Sequence, residues 1–166
     1  SSVVSSKICN LALSHNLENA GAKLIETEVG DRFVMETVNH HQALFGFEPS
    51  GHFYFPDKNR SMDGLAATMT FFNLLNFYGG SIVDQLSSAL HYERVTENIL
   101  IADNIKLDLS LLNSELANHH CSEIEKLIIR RSMWDPVIRV YYDYVEKNNF
   151  DLIYSKILKI INELKI

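Results

Sequence analysis

Apolar positions along the chain follow a mixed rhythm up to about residue 92 and a second pattern beyond it. Ile8, Leu11, Ala12 and Leu17 recur at helical spacing, which predicts a helix from about Ser6 to Ala20 with Gly21 as its C-cap. Ala22 to Thr27 reads as a short strand, and the residues ahead of the helix read as a strand entered midway. Val29-Gly30-Asp31-Arg32 is a loop. The next helix is expected to begin with Phe33 to Val38, and Asp31 is its possible N-cap. Leu44 to Phe47 and His52 to Phe55 are two extended arms. Pro56 to Arg60 is a polar loop, after which Ser61 or Asp63 can cap a helix running to about Phe77. That helix is expected to place Leu65, Met69, Phe72 and Leu75 on its apolar side. Tyr78-Gly79-Gly80 ends it, and Ser81 opens another, Ile82 to Leu90. This alternation of strands and helices predicts an α/β layered unit over residues 1–92.

From residue 93 the order changes. Val95 to Ala102 reads as a strand and Leu107 to Asn118 as a helix. Two further strands, Lys126 to Arg130 and Val137 to Tyr142, are joined by a turn around Trp134. Phe150 to Ile166 carries Ile153, Ile157, Ile160, Ile161 and Leu164 at helical spacing, an amphipathic closing helix. Residues 93–166 thus read as a compact α+β unit. The chain has no internal repeat and no low-complexity tract.

Composition narrows the function classes. With 166 residues, 46% of them hydrophobic, the chain can build a core in one domain or two small ones. Net charge is −6 and the pI about 5.6, so no basic face for nucleic acid is expected. No apolar run reaches the length of a membrane span, and the N-terminal residues lack the basic and apolar regions of a signal peptide. Cys9 and Cys121 lack metal-ligand spacing and are expected as buried free thiols, which suits a cytoplasmic setting.

Two polar stretches carry candidate chemistry. Gly46-Phe47-Glu48-Pro49-Ser50-Gly51-His52 sets a carboxylate, a hydroxyl and an imidazole between two strand arms. Together these donate and accept hydrogen bonds in a way that suits a ring of sugar hydroxyls. A tight turn facing water explains the same residues more blandly. The second stretch, Arg130 to Arg139, sets Arg130, Arg131 and Arg139 around Ser132, and guanidinium forks beside a hydroxyl suit phosphate. Its plain alternative is arginines at strand ends paired with Asp135 or Asp143 on the surface. Trp134 beside them is a core anchor or a partly exposed lid. A third stretch, Ser14-His15-Asn16, echoes a phosphotransferase serine motif but lacks its proline and falls inside a helical pattern, so it is read as coincidence.

The order of these stretches resembles the C-terminal half, domains 3 and 4, of the α-D-phosphohexomutase family, most closely its bacterial phosphoglucosamine mutase branch. Val29-Gly30-Asp31-Arg32-Phe33-Val34 is similar to the family's V-G-D-R-Y-V, and Glu48-x-Ser50-Gly51-His52 to its E-x-S-G-H sugar loop. Asp63-Gly64 matches the family's D-G at the next helix. Arg130-x-Ser132-x-x-Asp135-Pro136-x-x-Arg139 is similar to its phosphate loop, R-P-S-G-T-E-P-x-x-R. Met133 and Trp134 replace the loop's glycine and threonine and Asp135 its glutamate. These changes stiffen the turn and remove a donor.

The resemblance implies an α/β/α third domain over 1–92 for sugar recognition. A small, trimmed, TBP-like α+β fourth domain over 93–166 would take phosphate. It implies Glu48, Ser50 and His52 as sugar contacts, with Arg32 and Asp31 as weaker ones, and Arg130, Ser132 and Arg139 as phosphate contacts. The expected ligand is a hexose or hexosamine phosphate, and the expected partners are the N-terminal catalytic domains of the same enzyme. The parent reaction would interconvert hexosamine 6- and 1-phosphates through a phosphoserine and a bisphosphate intermediate. The family's reactive serine and its Mg2+ loop lie in its first two domains and have no counterpart here, so this chain is expected to bind rather than turn over. No metal is expected on it. Phosphomannomutase or phosphoglucomutase activity in the parent and a non-catalytic sugar-phosphate-binding relative are the alternatives.

Overall fold

The computed structural model describes residues 1–79, 81–101, 109, 125–132, 135–144 and 150–163. The chain divides into two compact units, Ser1–His91 and Tyr92–Ile166.

In the first unit the chain runs β1 (Ser2–Ser6), α1 (Leu11–Asn19), β2 (Lys23–Thr27), α2 (Asp31–His41), β3 (Gly46–Phe47), β4 (Phe53–Tyr54), α3 (Gly64–Tyr78) and α4 (Ile82–Ser87). The sheet order is β2-β1-β3-β4, with β1 parallel to both neighbours and β4 antiparallel to β3. Central β1 is buried at four consecutive positions, as a strand covered on both faces requires. Val4 packs with Val34 and Val38 of α2, all fully buried, and with Ala43 and Tyr54. Each such valine contributes about 1.5–3 kcal/mol by leaving water.

Local chemistry sets where the helices begin and end. Helix α1 starts five residues later than its apolar spacing predicts, because the Asn10 side chain caps it by accepting from the Ala12 N–H. It ends in a Schellman turn. Gly21 (φ +71°) donates to the Glu18 carbonyl and Ala22 to the Leu17 carbonyl. Ser14-His15-Asn16 lies within α1, where Asn16 donates to the Leu90 carbonyl and accepts from the Leu90 N–H. Helix α2 corrects the expected cap. Gly30 is the N-cap residue and Asp31 the first helical residue, because the Asp31 carboxylate is taken by a distant partner described below. Asp63 caps α3 by accepting from the Ala66 N–H, and Ser81 caps α4 by accepting from the Val83 N–H.

The expected apolar side of α3 is not buried. Leu65, Met69 and Phe72 are exposed by 72%, 60% and 62%, and none of the helix's described residues is buried. Its fifteen residues include no charged side chain, so periodicity alone does not distinguish a core face from a solvent face.

The second unit contains β5 (Glu93–Leu100), β6 (Glu125–Arg131), β7 (Val137–Tyr144) and α5 (Phe150–Glu163). Its antiparallel sheet has the order β5-β7-β6. Ile138, Val140 and Tyr142 alternate on one face of β7 and pack with Ile99, Ile101, Ile129 and Ile157 of α5. The expected helix from Leu107 to Asn118 falls, apart from Leu109, outside the described residues, as do Cys121 and Trp134. Cys9 is buried, and its thiol donates to Glu26 Oε1 at 3.7 Å. Among the described residues no helix is long and apolar enough to cross a membrane.

Candidate functional site

Strands β1, β2 and β3 run parallel, so the segments after Ser6, Thr27 and Phe47 emerge on one edge of the sheet. The chain passes from β2 over β1 to β3, which makes this the edge where strand order reverses. Ligands of open α/β sheets bind at such an edge, outside the carboxyl ends of the strands.

The loop after β3 is a three-residue hairpin. The Gly51 N–H donates to the Glu48 carbonyl at 3.0 Å, and the Glu48 N–H donates to the His52 carbonyl at 2.9 Å. Pro49 supplies the preset φ of the turn's second position, and Gly51 takes the left-handed conformation (φ +91°) that closes it. The turn leaves Ser50 exposed and turns Glu48 inward, where it is 7% exposed.

Two hydrogen bonds tie this hairpin to the start of α2. The Gly30 N–H, an orphan donor at the helix N-terminus, donates to Glu48 Oε1 at 2.8 Å. His52 Nδ1 lies 2.8 Å from Asp31 Oδ1. A carboxylate oxygen can only accept, so the imidazole donates from Nδ1. The ligand atoms of Asp31, Glu48 and His52 fall within 4.8 Å of one another, a partly exposed corner with a buried carboxylate at its back. Gly30 was missed by sequence reasoning, because its contribution is a backbone N–H and no side-chain pattern announces it.

The structure brings Asp31, Glu48 and His52 together, with Ser50 on the same loop. Arg32 goes elsewhere. Its Nε donates to Glu36 Oε1 at 2.8 Å, and that hydrogen bond together with the carboxylate's charge raises its pKa above the ordinary value. Lys7, at the end of β1 on the same edge, pairs with Glu28 at 2.7 Å. The corner is a poor match for Mg2+, which demands an octahedron of oxygens. One of its three ligand atoms is an imidazole nitrogen, and both carboxylates already accept hydrogen bonds.

A groove of about 730 Å³ lies beside the hairpin, between Phe45, Phe53 and Phe55 and the Ala67–Phe71 side of α3. Its lining is largely apolar, so the polar corner is the better candidate for a hydroxylated ligand.

In the second unit, Arg130 of β6 sits directly opposite Arg139 of β7. Like charges facing across a strand pair destabilise it unless an anion or a ring intervenes. Arg139 is served by Asp135, with Nη2 to Oδ2 at 3.0 Å. The Arg130 guanidinium lies 6.0 Å from the Tyr141 ring centroid, and its buried Nε has no hydrogen-bond partner among the described residues. Ser132 is buried and turned onto Asp135. Its hydroxyl donates to Oδ2 at 3.2 Å and accepts from the Asp135 N–H at 3.3 Å. Asp143 is not a surface partner of these arginines. It is fully buried and held by both Nε and Nη2 of Arg94, because the β5–β7 register places Arg94 opposite it. The result is two arginines at facing positions of β6 and β7, one of them already engaged by an internal carboxylate.

Comparison with known proteins gives these two sites a context. The pattern of the phosphoglucomutase/phosphomannomutase alpha/beta/alpha domain III matches residues 1–93. The phosphoglucosamine mutase of Bacillus subtilis is 28% identical over 166 residues, covering 96% of this chain and 36% of that protein. The one from Thermotoga maritima is 26% identical over 159 residues, covering 96% and 37%. Among solved structures, an N-acetylglucosamine-phosphate mutase in its substrate complex superposes with a TM-score of 0.75 at 13% identity, covering 96% of this chain and 38% of that one. The Aspergillus fumigatus N-acetylphosphoglucosamine mutase in complex with GlcNAc-6P and magnesium gives 0.74 at 12% identity, covering 98% and 39%. The fold of this chain is therefore that of the phosphohexomutases. The chain spans somewhat over a third of the length of these relatives.

Proposed function

The chain belongs to the phosphoglucomutase/phosphomannomutase family, in which residues 1–93 correspond to domain III, and on that premise we propose that it is the substrate-reading portion of a phosphohexomutase acting on a hexosamine phosphate. The observation that carries this reading is the corner at the switch edge of the first sheet. There a buried Glu48 is fixed by the Gly30 N–H beside His52 and the exposed Ser50.

Each residue has a role in orientation. Glu48 has one oxygen fixed by Gly30 and can offer the other to a ring hydroxyl. Ser50, on the same rigid turn, can donate or accept, and His52 adds a ring nitrogen. Holding a sugar by its hydroxyls restricts its approach and contributes through positioning, not bond making. Taken by itself, the second unit offers Arg130, Ser132 and Arg139 as candidate contacts for a phosphate. Phosphoryl transfer needs a nucleophile and charge neutralisation that these residues do not supply. We therefore assign binding without turnover to this chain and turnover to the parent enzyme, with Mg2+ held by its other domains.

Calorimetric titration with glucosamine 6-phosphate tests the proposal. Weak saturable binding is expected, reduced at least threefold by Glu48→Gln and by His52→Ala, each removing about one hydrogen bond. Equal affinities for the unaltered chain and both variants would remove this corner from the site.

A further inference from the structure

We propose that Asp31 is a positioning residue that locks the His52 imidazole in its Nδ1–H tautomer, so that Nε2 faces the ligand as a hydrogen-bond acceptor selecting a sugar hydroxyl over a phosphate oxygen. The inference deepens, and rests on, the reading of this corner as a sugar-phosphate site.

The geometry gives each step. His52 Nδ1 and Asp31 Oδ1 are 2.8 Å apart, and the carboxylate cannot be the donor. The proton of a neutral ring is therefore on Nδ1, and Nε2 carries the lone pair. Asp31 is itself held. It is the first residue of α2, whose N-cap Gly30 is bound to Glu48 of the same hairpin. Ring and carboxylate are thus anchored at both ends of one short loop pairing. The His52 and Asp31 side chains are 55% and 44% exposed, so the unpaired ring edge is open to a ligand. An acceptor at Nε2 attracts an O–H group and repels an anionic oxygen. Asp31 therefore touches the imidazole, and the imidazole touches the sugar.

The test uses the 15N-labelled chain at about pH 8.5, where ordinary imidazoles are neutral. Long-range 1H–15N spectra report which ring nitrogen of each histidine carries the proton, and His52→Asn identifies the His52 signals. The expected pattern is a protonated Nδ1 and a bare Nε2 in the unaltered chain. Asp31→Ala should mix the tautomers, and Asp31→Asn should retain the pattern, since its amide oxygen still accepts. Glucosamine 6-phosphate should move the Nε2 signal, whereas inorganic phosphate should leave it in place. Affinity for the sugar phosphate should fall about fivefold in Asp31→Ala, the worth of one hydrogen bond, and less than twofold in Asp31→Asn. A His52 ring protonated at Nε2, or nitrogen signals unchanged by Asp31→Ala, overturns the assignment whether or not the sugar binds. An Nδ1–H ring whose Nε2 does not respond to the sugar phosphate instead overturns the sugar reading and leaves Asp31 as the residue that orients His52.

Discussion

Replacing Gly46 by alanine should loosen the first unit at the point where its helix, strand and hairpin meet. A Cβ at Gly46 would lie 2.6 Å from both Val34 Cγ1 and Val38 Cγ2, with the Val4 carbonyl at 3.4 Å behind it. Carbon atoms in ordinary contact sit about 3.5–4.0 Å apart, so roughly 1 Å of extra space must be found. Both valines are fully buried on α2. The helix cannot slide freely, because its first turn is bonded to Glu48 and His52. Overpacking of this kind costs about 1–3 kcal/mol. Replacing a strand glycine returns roughly 0.5–1 kcal/mol of chain entropy, leaving a net loss of about 1–2 kcal/mol. For small domains that lowers a urea midpoint by roughly 0.5–1 M. The assay is urea unfolding followed on resonances of β1 and α2, with β5 and β7 as an internal control. Adding Val38→Ala should restore room, so the double variant should beat the sum of the single losses by about 1 kcal/mol. An unchanged midpoint for Gly46→Ala, or simple additivity with Val38→Ala, would refute the claim that α2 rests directly on β3.

Other substitutions probe the remaining parts. Gly51→Ala meets no atom within 4 Å but must hold φ +91°, so it should cost about 1–2 kcal/mol through backbone strain alone and weaken sugar-phosphate binding; equal stability to the unaltered chain would show that the turn relaxes. Asp143→Ala removes the carboxylate that holds Arg94 Nε and Nη2 in a largely buried place and should cost about 3 kcal/mol in unfolding experiments on the second unit, with much of the loss recovered by also replacing Arg94 with methionine. Asp135→Asn removes the carboxylate that engages Arg139 and Ser132. Inorganic phosphate should then bind severalfold tighter in a titration, and unchanged affinity would mean that Asp135 does not compete with phosphate.

How much of this was legible in the sequence depended on how local the cause was. The hairpin at Glu48–His52 was readable because Pro49 and Gly51 set their own backbone angles. The C-cap glycine after α1 was readable for the same reason. The start of α2 was misplaced because Asp31 has the chemistry of a cap, and only its pairing with His52, twenty-one residues away, removes it from that role. Arg94 and Asp143 are forty-nine residues apart, and no local pattern foretold that strand register would bury the pair. The exposed face of α3 was unreadable for a different reason, since a helix without a charged side chain, whose clearest polar residues are two threonines and two asparagines, marks only weakly where solvent lies. The candidate corner was half legible. Glu48, Ser50 and His52 share a loop, but the Gly30 N–H and the Asp31 carboxylate reach it only because β2 and β3 flank the same central strand.

The most direct test of the central claim is an amide chemical-shift map of the chain titrated with glucosamine 6-phosphate. The account predicts that perturbations concentrate at Gly30, Asp31 and Glu48 to His52. Perturbations confined to the Phe45, Phe53 and Phe55 groove, with the Glu48–His52 turn unmoved at saturation, would contradict it.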